Sequence, residues 1–168
     1  MNNLLNALTV IADSTPTDNV TELIETIVTT MLEVEVDTTD RKALVAVKMA
    51  DYQPDNVDYH DYDEWTIDGS DYRICTDDEA DDACSDHIKE SVWAFNADFL
   101  ARQTGIDSKV FEILSQECES ANDPILTMIN DFDGFVESAV SADGRGHFLS
   151  PYDGKEIELD EFYLYRTN

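Results

Sequence analysis

WTIDGSDYRIC, residues 65–75, is the stretch of sequence that decides the fold class. Two short runs rich in apolar and β-branched residues, 65–67 and 72–75, lie on either side of Asp68-Gly69. An Asp-Gly pair between two such runs is a strong hairpin signal, because it suits the two-residue turn that joins antiparallel strands. The stretch therefore predicts a β-hairpin.

A helix is predicted directly after this hairpin. Thr76 and Glu79 match the capping-box pattern, in which each side chain satisfies a backbone N–H of the other residue. Apolar and small residues then recur at helical spacing as far as Phe95-Asn96, where we expect the helix to end. The members of this face are Ala80, Ala83, Cys84, His87, Ile88, Ser91, Val92 and Phe95.

The same periodicity predicts helices upstream of this stretch. They cover residues 4–12 and about 16–33, and Thr15 is the expected N-cap of the second. Residues 41–52 fit either a helix or a buried strand, and Asp40 as a cap favours the helix.

Downstream, the pattern predicts three more helices and a closing hairpin. The helices cover residues 97–103, a segment that Asp107 caps, and residues 123–143. The two strands of the closing hairpin are expected at residues 147–149 and 162–165.

Taken together, the predicted elements define a single α+β domain over residues 1–168. It is mostly helical and carries a small antiparallel sheet. The polar residues 53–64, which are rich in Asp and Tyr, are predicted to form a loop.

The composition is that of a folded but strongly acidic chain. The 168 residues include 38 Asp and Glu against 10 Lys and Arg, a net charge of −28, while 42% are apolar and 10% aromatic. This apolar content is too high for a disordered acidic tail. The charge excludes direct binding to nucleic acid through a basic patch and argues against docking on anionic lipid. No apolar run is long enough to span a bilayer and the N-terminus lacks a basic leader pattern, so we expect a soluble, unexported protein.

The negative charge is concentrated in one part of the chain. Residues 51–90 hold 15 acidic and 2 basic residues, a net charge of −13 against −15 for all other residues. Within the predicted helix, Asp78, Asp82, Asp86 and Glu90 form a row at i, i+4 spacing. Each like-charge pair of neighbours in such a row costs roughly 0.2–0.5 kcal/mol.

Three explanations fit a surface that keeps this repulsion: imitation of the phosphate charges of nucleic acid, adaptation to high salt, or solubility alone. Under the first, ordered carboxylates occupy the basic groove of a DNA-binding protein, and association is fast and salt-sensitive. The residues predicted to bind such a partner are Asp58, Asp61, Asp63, Glu64, Asp68 and Asp71 before the helix, and Asp78, Asp81, Asp82, Asp86 and Glu90 on it.

Recognised signatures of catalysis and metal binding are absent from the sequence. The three cysteines are odd in number and widely spaced, which predicts free thiols, with Cys84 and Cys118 buried on apolar stripes. Because His87 shares the stripe of Cys84, a core histidine beside a buried thiol is favoured over a zinc site. Residues 131–134 (DFDG) match a calcium loop at too few positions. We therefore expect no metal, no cofactor and no enzymatic activity.

The best enzymatic candidate is the segment Gly144-Arg145-Gly146-His147, in which His147 would serve as a general base. The sequence identifies no nucleophile or partner for it. We favour a tight turn that leads into a strand, with Arg145 paired to a nearby carboxylate.

Two blocks of the chain resemble bacteriophage proteins. Residues 65–100 and residues 142–167, the second of which contains GRGHFLSPYDGKE, resemble a widely scattered group of small acidic phage proteins. Together the blocks cover more than a third of the chain. The resemblance implies a phage origin and a setting in the host cytoplasm, and it carries over no catalytic residue. The similarity to phage DNA mimics is one of composition, size and context alone.

These inferences lead to one expected function and two alternatives. We expect a phage-encoded DNA mimic that inhibits a host defence protein, such as a restriction enzyme, or a transcription protein by occupying its basic nucleic-acid groove. It would bind neither nucleic acid nor membrane itself. The sequence leaves open whether the chain forms a homodimer. The alternatives are a small enzyme or accessory factor with a site around Arg145 and His147, and a structural or assembly protein of the phage.

Overall fold

The computed structural model of the protein describes residues 3–15, 19–33, 36–60 and 64–168. The chain divides into two compact units: Met1–Asp78 with Ser150–Asn168, which we call the sheet unit, and Glu79–Leu149, which we call the helical unit. Helices predominate and the strands form a small antiparallel sheet, so the predicted α+β class is confirmed. A single domain over residues 1–168 stays a prediction.

The sheet unit combines three N-terminal helices with an antiparallel sheet. The helices are α1 (Asn3–Ser14), α2 (Val20–Leu32) and α3 (Thr38–Met49), and a 3₁₀ turn covers Pro54–Asn56. The strands among the described residues are β1 (Val57–Tyr59), β2 (Glu64–Ile67), β3 (Ser70–Cys75), β4 (Ile157–Leu159) and β5 (Phe162–Arg166). They lie in the order β1-β2-β3-β5-β4, each antiparallel to its neighbours.

The predicted central hairpin is confirmed as β2–β3. Asp68 and Gly69 form its turn with φ values of 50° and 75°, as a two-residue hairpin turn requires. The closing hairpin exists as β4–β5, but the expected first strand at residues 147–149 is wrong. Those residues belong to a short helix. The prediction failed because a run of so few apolar residues has no period that separates strand from helix.

Two further predictions for this unit are wrong. Residues 53–64 are not all loop, because Val57–Tyr59 pairs with β2 as an edge strand that is too short to show a strand period. Thr15 does not cap α2, which begins after Asn19. The Thr15 hydroxyl instead donates a hydrogen bond to the carbonyl oxygen of Ile11 at 2.7 Å. Part of the predicted segment 16–33 lies outside the described residues.

The ambiguous segment 41–52 falls largely within α3, a helix that is buried on most sides. Residues 42–47 are buried in succession, which explains why the sequence shows no amphipathic stripe there. Asp37, and not Asp40, caps the helix, because Asp37 Oδ1 accepts a hydrogen bond from the Asp40 N–H at 2.9 Å. α3 packs with α1 and α2 and contacts β1 and β2, and Trp65 is buried in the core that results.

Helix α4 (Asp77–Ser91) follows β3 and ends at Ser91, before the predicted end at Phe95-Asn96, because a 3₁₀ turn takes over. The remaining helices are α5 (Ala97–Thr104), α6 (Ser108–Leu114), α7 (Asn122–Leu126), α8 (Phe132–Asp143) and α9 (Arg145–Leu149), with 3₁₀ segments at Val92–Ala94 and Ser115–Ala121. Asp107 caps α6 as predicted, since its side chain accepts a hydrogen bond from the Lys109 N–H.

The predicted helix over residues 123–143 is in fact two helices. The chain breaks after α7, and Asp131 starts α8 by accepting a hydrogen bond from the Gly134 N–H at 3.0 Å. An Asp at this position satisfies a backbone donor that has no partner in the first helical turn. Cys118 also departs from its prediction: it is exposed and has a φ of 51° within a 3₁₀ segment.

Candidate functional site

The predicted acidic row on α4 lies on the exposed side of the helix. The side chains of Asp78, Asp82, Asp86 and Glu90 are all exposed. Within the described part of the chain, none of these four side chains takes part in a hydrogen bond or an ion pair. Cys84, on the opposite side of the helix, is buried as predicted. The helix therefore buries its apolar stripe and presents the row to solvent.

The charge along α4 is almost as dense as that along one strand of DNA. Its 15 residues hold seven Asp and Glu and one basic residue, Lys89, a net charge of −6. At about 1.5 Å rise per residue, this charge is spread over about 22 Å, or one charge per about 3.7 Å. One strand of B-DNA carries one charge per about 3.4 Å of axis.

Asp81 differs from the row because a cation partly neutralises it. Arg145 Nη1 donates a hydrogen bond to Asp81 Oδ1 at 2.9 Å, and the Arg145 side chain is only 12% exposed, against 67% for Asp81. Arg145 therefore pairs with a carboxylate as expected, but its partner Asp81 lies 64 positions away and is not one of the carboxylates near it in sequence. The expected turn into a strand is wrong, because Arg145 starts α9. The ion pair joins α9 to α4 within the helical unit.

A groove of about 510 Å³ lies between α4 and α8. It is lined by Asp81, Asp82, Cys84 and Ser85 from α4, and by Asp133, Val136, Glu137, Val140 and Ser141 from α8. Asp133 and Glu137 were not among the residues predicted to bind a partner. Because they also stand at i, i+4 spacing, the criterion applied to α4 would have found them. The groove extends the acidic surface from α4 to α8.

The carboxylates predicted before α4 differ in how far they are engaged in the fold. Asp58 on β1 and Glu64 at the start of β2 are exposed. Asp68, in the hairpin turn, accepts a hydrogen bond from Asn56 Nδ2 at 2.8 Å. Two of the predicted residues lie outside the described residues: Asp61 and Asp63.

Asp71 holds the C-terminus against the sheet. Its carboxylate accepts hydrogen bonds from Thr66 Oγ1 at 2.6 Å and from the side-chain amide of Asn168. Its backbone N–H donates to Asn168 Oδ1 at 2.7 Å. Thr66 Oγ1 also lies 2.8 Å from His60 Nε2. Asp71 is thus engaged within the sheet unit, through a partner 97 positions away that no local pattern reveals.

The cysteine and histidine candidates do not converge on a metal site. Cys75 and Cys84 are buried free thiols. His87, predicted as a core histidine, is exposed, because it lies at the edge of the apolar stripe rather than at its centre. Across the residues that the structure describes, no group of three or more His, Cys, Asp or Glu side chains is placed to hold a metal ion.

Residues 150–155 form a turn that Asp153 organises. The Lys155 N–H and the Ser150 hydroxyl donate to Asp153 Oδ1 at 3.0 and 2.9 Å. These hydrogen bonds favour the charged form and lower the pKa of Asp153 below its ordinary value of 3.8. The Gly154 N–H donates to the Ser150 carbonyl oxygen at 2.8 Å, with Gly154 at a φ of 69°. This part of the C-terminal block therefore serves the fold of the sheet unit.

Comparisons with protein-family models, with curated proteins and with solved structures gave no match. None of the helices in the described ranges combines the length and the apolar character that a membrane crossing requires.

Proposed function

We propose that this chain is a phage-encoded DNA mimic. It acts in the host cytoplasm, where it occupies the basic nucleic-acid groove of a host defence or transcription protein and blocks it. It works by binding rather than by catalysis, needs no cofactor, and contacts neither nucleic acid nor membrane. The partner supplies Lys and Arg side chains that otherwise hold phosphates.

The observation that carries the proposal is the exposed row Asp78, Asp82, Asp86 and Glu90 on α4, which has no hydrogen-bond or ion-pair partner among the residues that the structure describes. The three pairs of neighbouring like charges in this row together lower the stability of the folded protein by roughly 0.6–1.5 kcal/mol. Solubility requires many charges but no such alignment, and a surface without an electrostatic task normally mixes signs. The cations of a basic groove would relieve this repulsion upon binding, so the cost in the free protein becomes affinity in the complex.

The partner-binding surface extends beyond the row. Asp133 and Glu137 carry it across the groove onto α8, and Asp81 adds a carboxylate that Arg145 partly neutralises. The sheet unit, considered by itself, has two exposed candidates of its own among the described residues, Asp58 and Glu64. Asp68 and Asp71 accept hydrogen bonds within their own unit, so we assign them mainly to folding.

A pull-down from bacterial lysate tests the proposal. The immobilised chain is washed at low and at high salt, and duplex DNA competes in a parallel sample. We expect capture of an identified nucleic-acid enzyme that salt and DNA both release, because screening and phosphate competition act on the same groove. Capture only of proteins that are indifferent to salt and DNA would contradict the proposal.

Charge-reversal variants test whether the α4 row is the surface that binds the partner. The variant D78K/D82K/D86K/E90K should lower affinity for the captured enzyme by orders of magnitude and flatten its salt dependence. The control E25K/E112K/E117K/E158K changes the net charge equally at exposed residues outside α4 and should retain most of the affinity. Equal binding by a folded α4 variant and its control would refute this assignment.

The competing class of function is an enzyme or accessory factor centred on Arg145 and His147. Under it, Arg145→Ala with His147→Ala would abolish activity while the α4 variant kept it. Arg145 is already engaged with Asp81, which leaves His147 as the residue of interest. For a phage assembly protein, the signature would be stoichiometric association with other phage proteins.

A further inference from the structure

The helical unit contains a cavity of about 450 Å³ that the acidic surface does not use. Side chains from α4, α5, α8 and α9 line it, together with the short segment between α4 and α5. Its volume falls within the range of about 300–1,000 Å³ that is typical of small-molecule sites.

Phenylalanine rings form one wall of this cavity. Phe95 lies with its ring centroid 5.5 Å from that of Phe99 and 6.1 Å from that of Phe148, and the Phe95 and Phe148 rings are nearly parallel. Phe148 is buried, whereas Phe95 and Phe99 keep part of their surface accessible and line the cavity. A planar ring placed against Phe95 and Phe99 would find aromatic partners already held in place.

The polar lining differs from that in the α4–α8 groove, because it adds hydrogen-bond donors. Two of the chain's three histidines, His87 and His147, line the cavity, and their ring centroids lie 6.2 and 5.0 Å from that of Phe148. Arg102 adds a cation with its guanidinium carbon 5.8 Å from the Phe99 centroid. Among the described lining residues, the carboxylate of Asp143 stands against these groups. In a chain of charge −28, such a concentration of donors points to an anion.

We propose that this cavity binds a small planar aromatic molecule that carries an anionic group. The ring packs against Phe95 and Phe99. The anion accepts hydrogen bonds from the Arg102 guanidinium and from the N–H groups of His87 and His147. Nucleoside monophosphates and aromatic carboxylates have this chemistry. No residue of the α4 row lines the cavity. The test of this site and the test of the mimic surface therefore have independent outcomes.

Calorimetric titration of the full-length chain tests the site. The probes are the four ribonucleoside monophosphates, anthranilate and indole-3-acetate, with adenosine as the ring alone and inorganic phosphate as the anion alone. We expect at least one aromatic anion to bind more tightly than either adenosine or phosphate. Arg102→Gln should weaken it about 10-fold through loss of a charged hydrogen bond, and Phe99→Leu about 5-fold through loss of the ring contact.

Lys109→Gln is the matched control, because it removes an exposed cation of the same unit that does not line the cavity. Its affinity should stay unchanged. NMR resonances of the His87 and His147 rings should shift with the same dissociation constant, while those of His60, which does not line the cavity, stay still. Arg102 is exposed, so its variant tests the site even where Phe99→Leu unfolds. The proposal is overturned if no aromatic anion in the panel binds, or if Arg102→Gln binds as the control does.

Discussion

Replacing Asp82 by Asn should make the free protein more stable at low salt. Asp82 stands in the middle of the α4 row, one turn after Asp78 and one turn before Asp86, and it is exposed. Asn keeps the size of the side chain and has a similar helix propensity, so the substitution removes a charge and little else. The prediction therefore isolates the electrostatic cost of the row.

The size of the effect follows from the two like-charged neighbours at i, i+4 spacing that Asp82 has within the row, Asp78 and Asp86. At roughly 0.2–0.5 kcal/mol for each pair, removal of this repulsion should raise the free energy of unfolding by about 0.4–1 kcal/mol. For a chain of this length, that corresponds to a rise in Tm of about 1–4 °C. Glu117→Gln is the control, because it makes the same change of net charge at an exposed position whose neighbours three and four residues away on either side are uncharged.

Urea unfolding followed by far-UV circular dichroism measures both variants. At about 10 mM salt the Debye length is about 30 Å, and at about 1 M it is about 3 Å, so the repulsion is nearly unscreened in one buffer and removed in the other. We expect Asp82→Asn to exceed Glu117→Gln in stability only at low salt. Equal stability of the two at low salt, or a gain that survives at high salt, would show that the row carries no repulsion and would remove the main support for a functional surface.

Four further predictions concern the fold that holds these surfaces. Gly69→Ala should lower the free energy of unfolding by about 1 kcal/mol in urea titration, because the residue has a φ of 75° although a Cβ there would meet no atom within 4 Å. Asp131→Ala should lower the free energy of unfolding by about 1 kcal/mol, because it removes the N-cap of α8. Gly134→Ala should destabilise the wild type, where its Cβ would lie 2.6 Å from Asp131 Oδ2, but stabilise the Asp131→Ala variant, so an additive double-mutant cycle would disprove the clash. Because folding lowers the pKa of Asp153, its contribution to stability is present above the ordinary value of 3.8 and is lost as pH falls through the folded value. Asp153→Asn should therefore flatten the stability profile on the acid side of pH 3.8 and leave its slope at neutral pH unchanged, as unfolding at a series of pH values will show.

The parts of the fold that were predicted correctly depend on neighbours in sequence. The β2–β3 turn follows from Asp68-Gly69 alone, and the acidic row follows from spacing along one helix. The errors occur where a short segment takes its state from distant residues. Val57–Tyr59 becomes a strand because β2 supplies its hydrogen bonds, and residues 147–149 are helical although their apolar run suits a strand.

The candidate sites divide in the same way. The α4 row and its exposure were accessible from the sequence, since helical periodicity places charged and apolar residues on opposite sides. The pairing of Arg145 with Asp81 across 64 positions, the engagement of Asp71 by Asn168, and the cavity lined by Phe99 and its neighbours were not. Each of these joins residues that are remote along the chain. Charge, secondary structure and turns are local properties of a polypeptide, whereas partners and cavities exist only once packing has chosen which distant side chains meet.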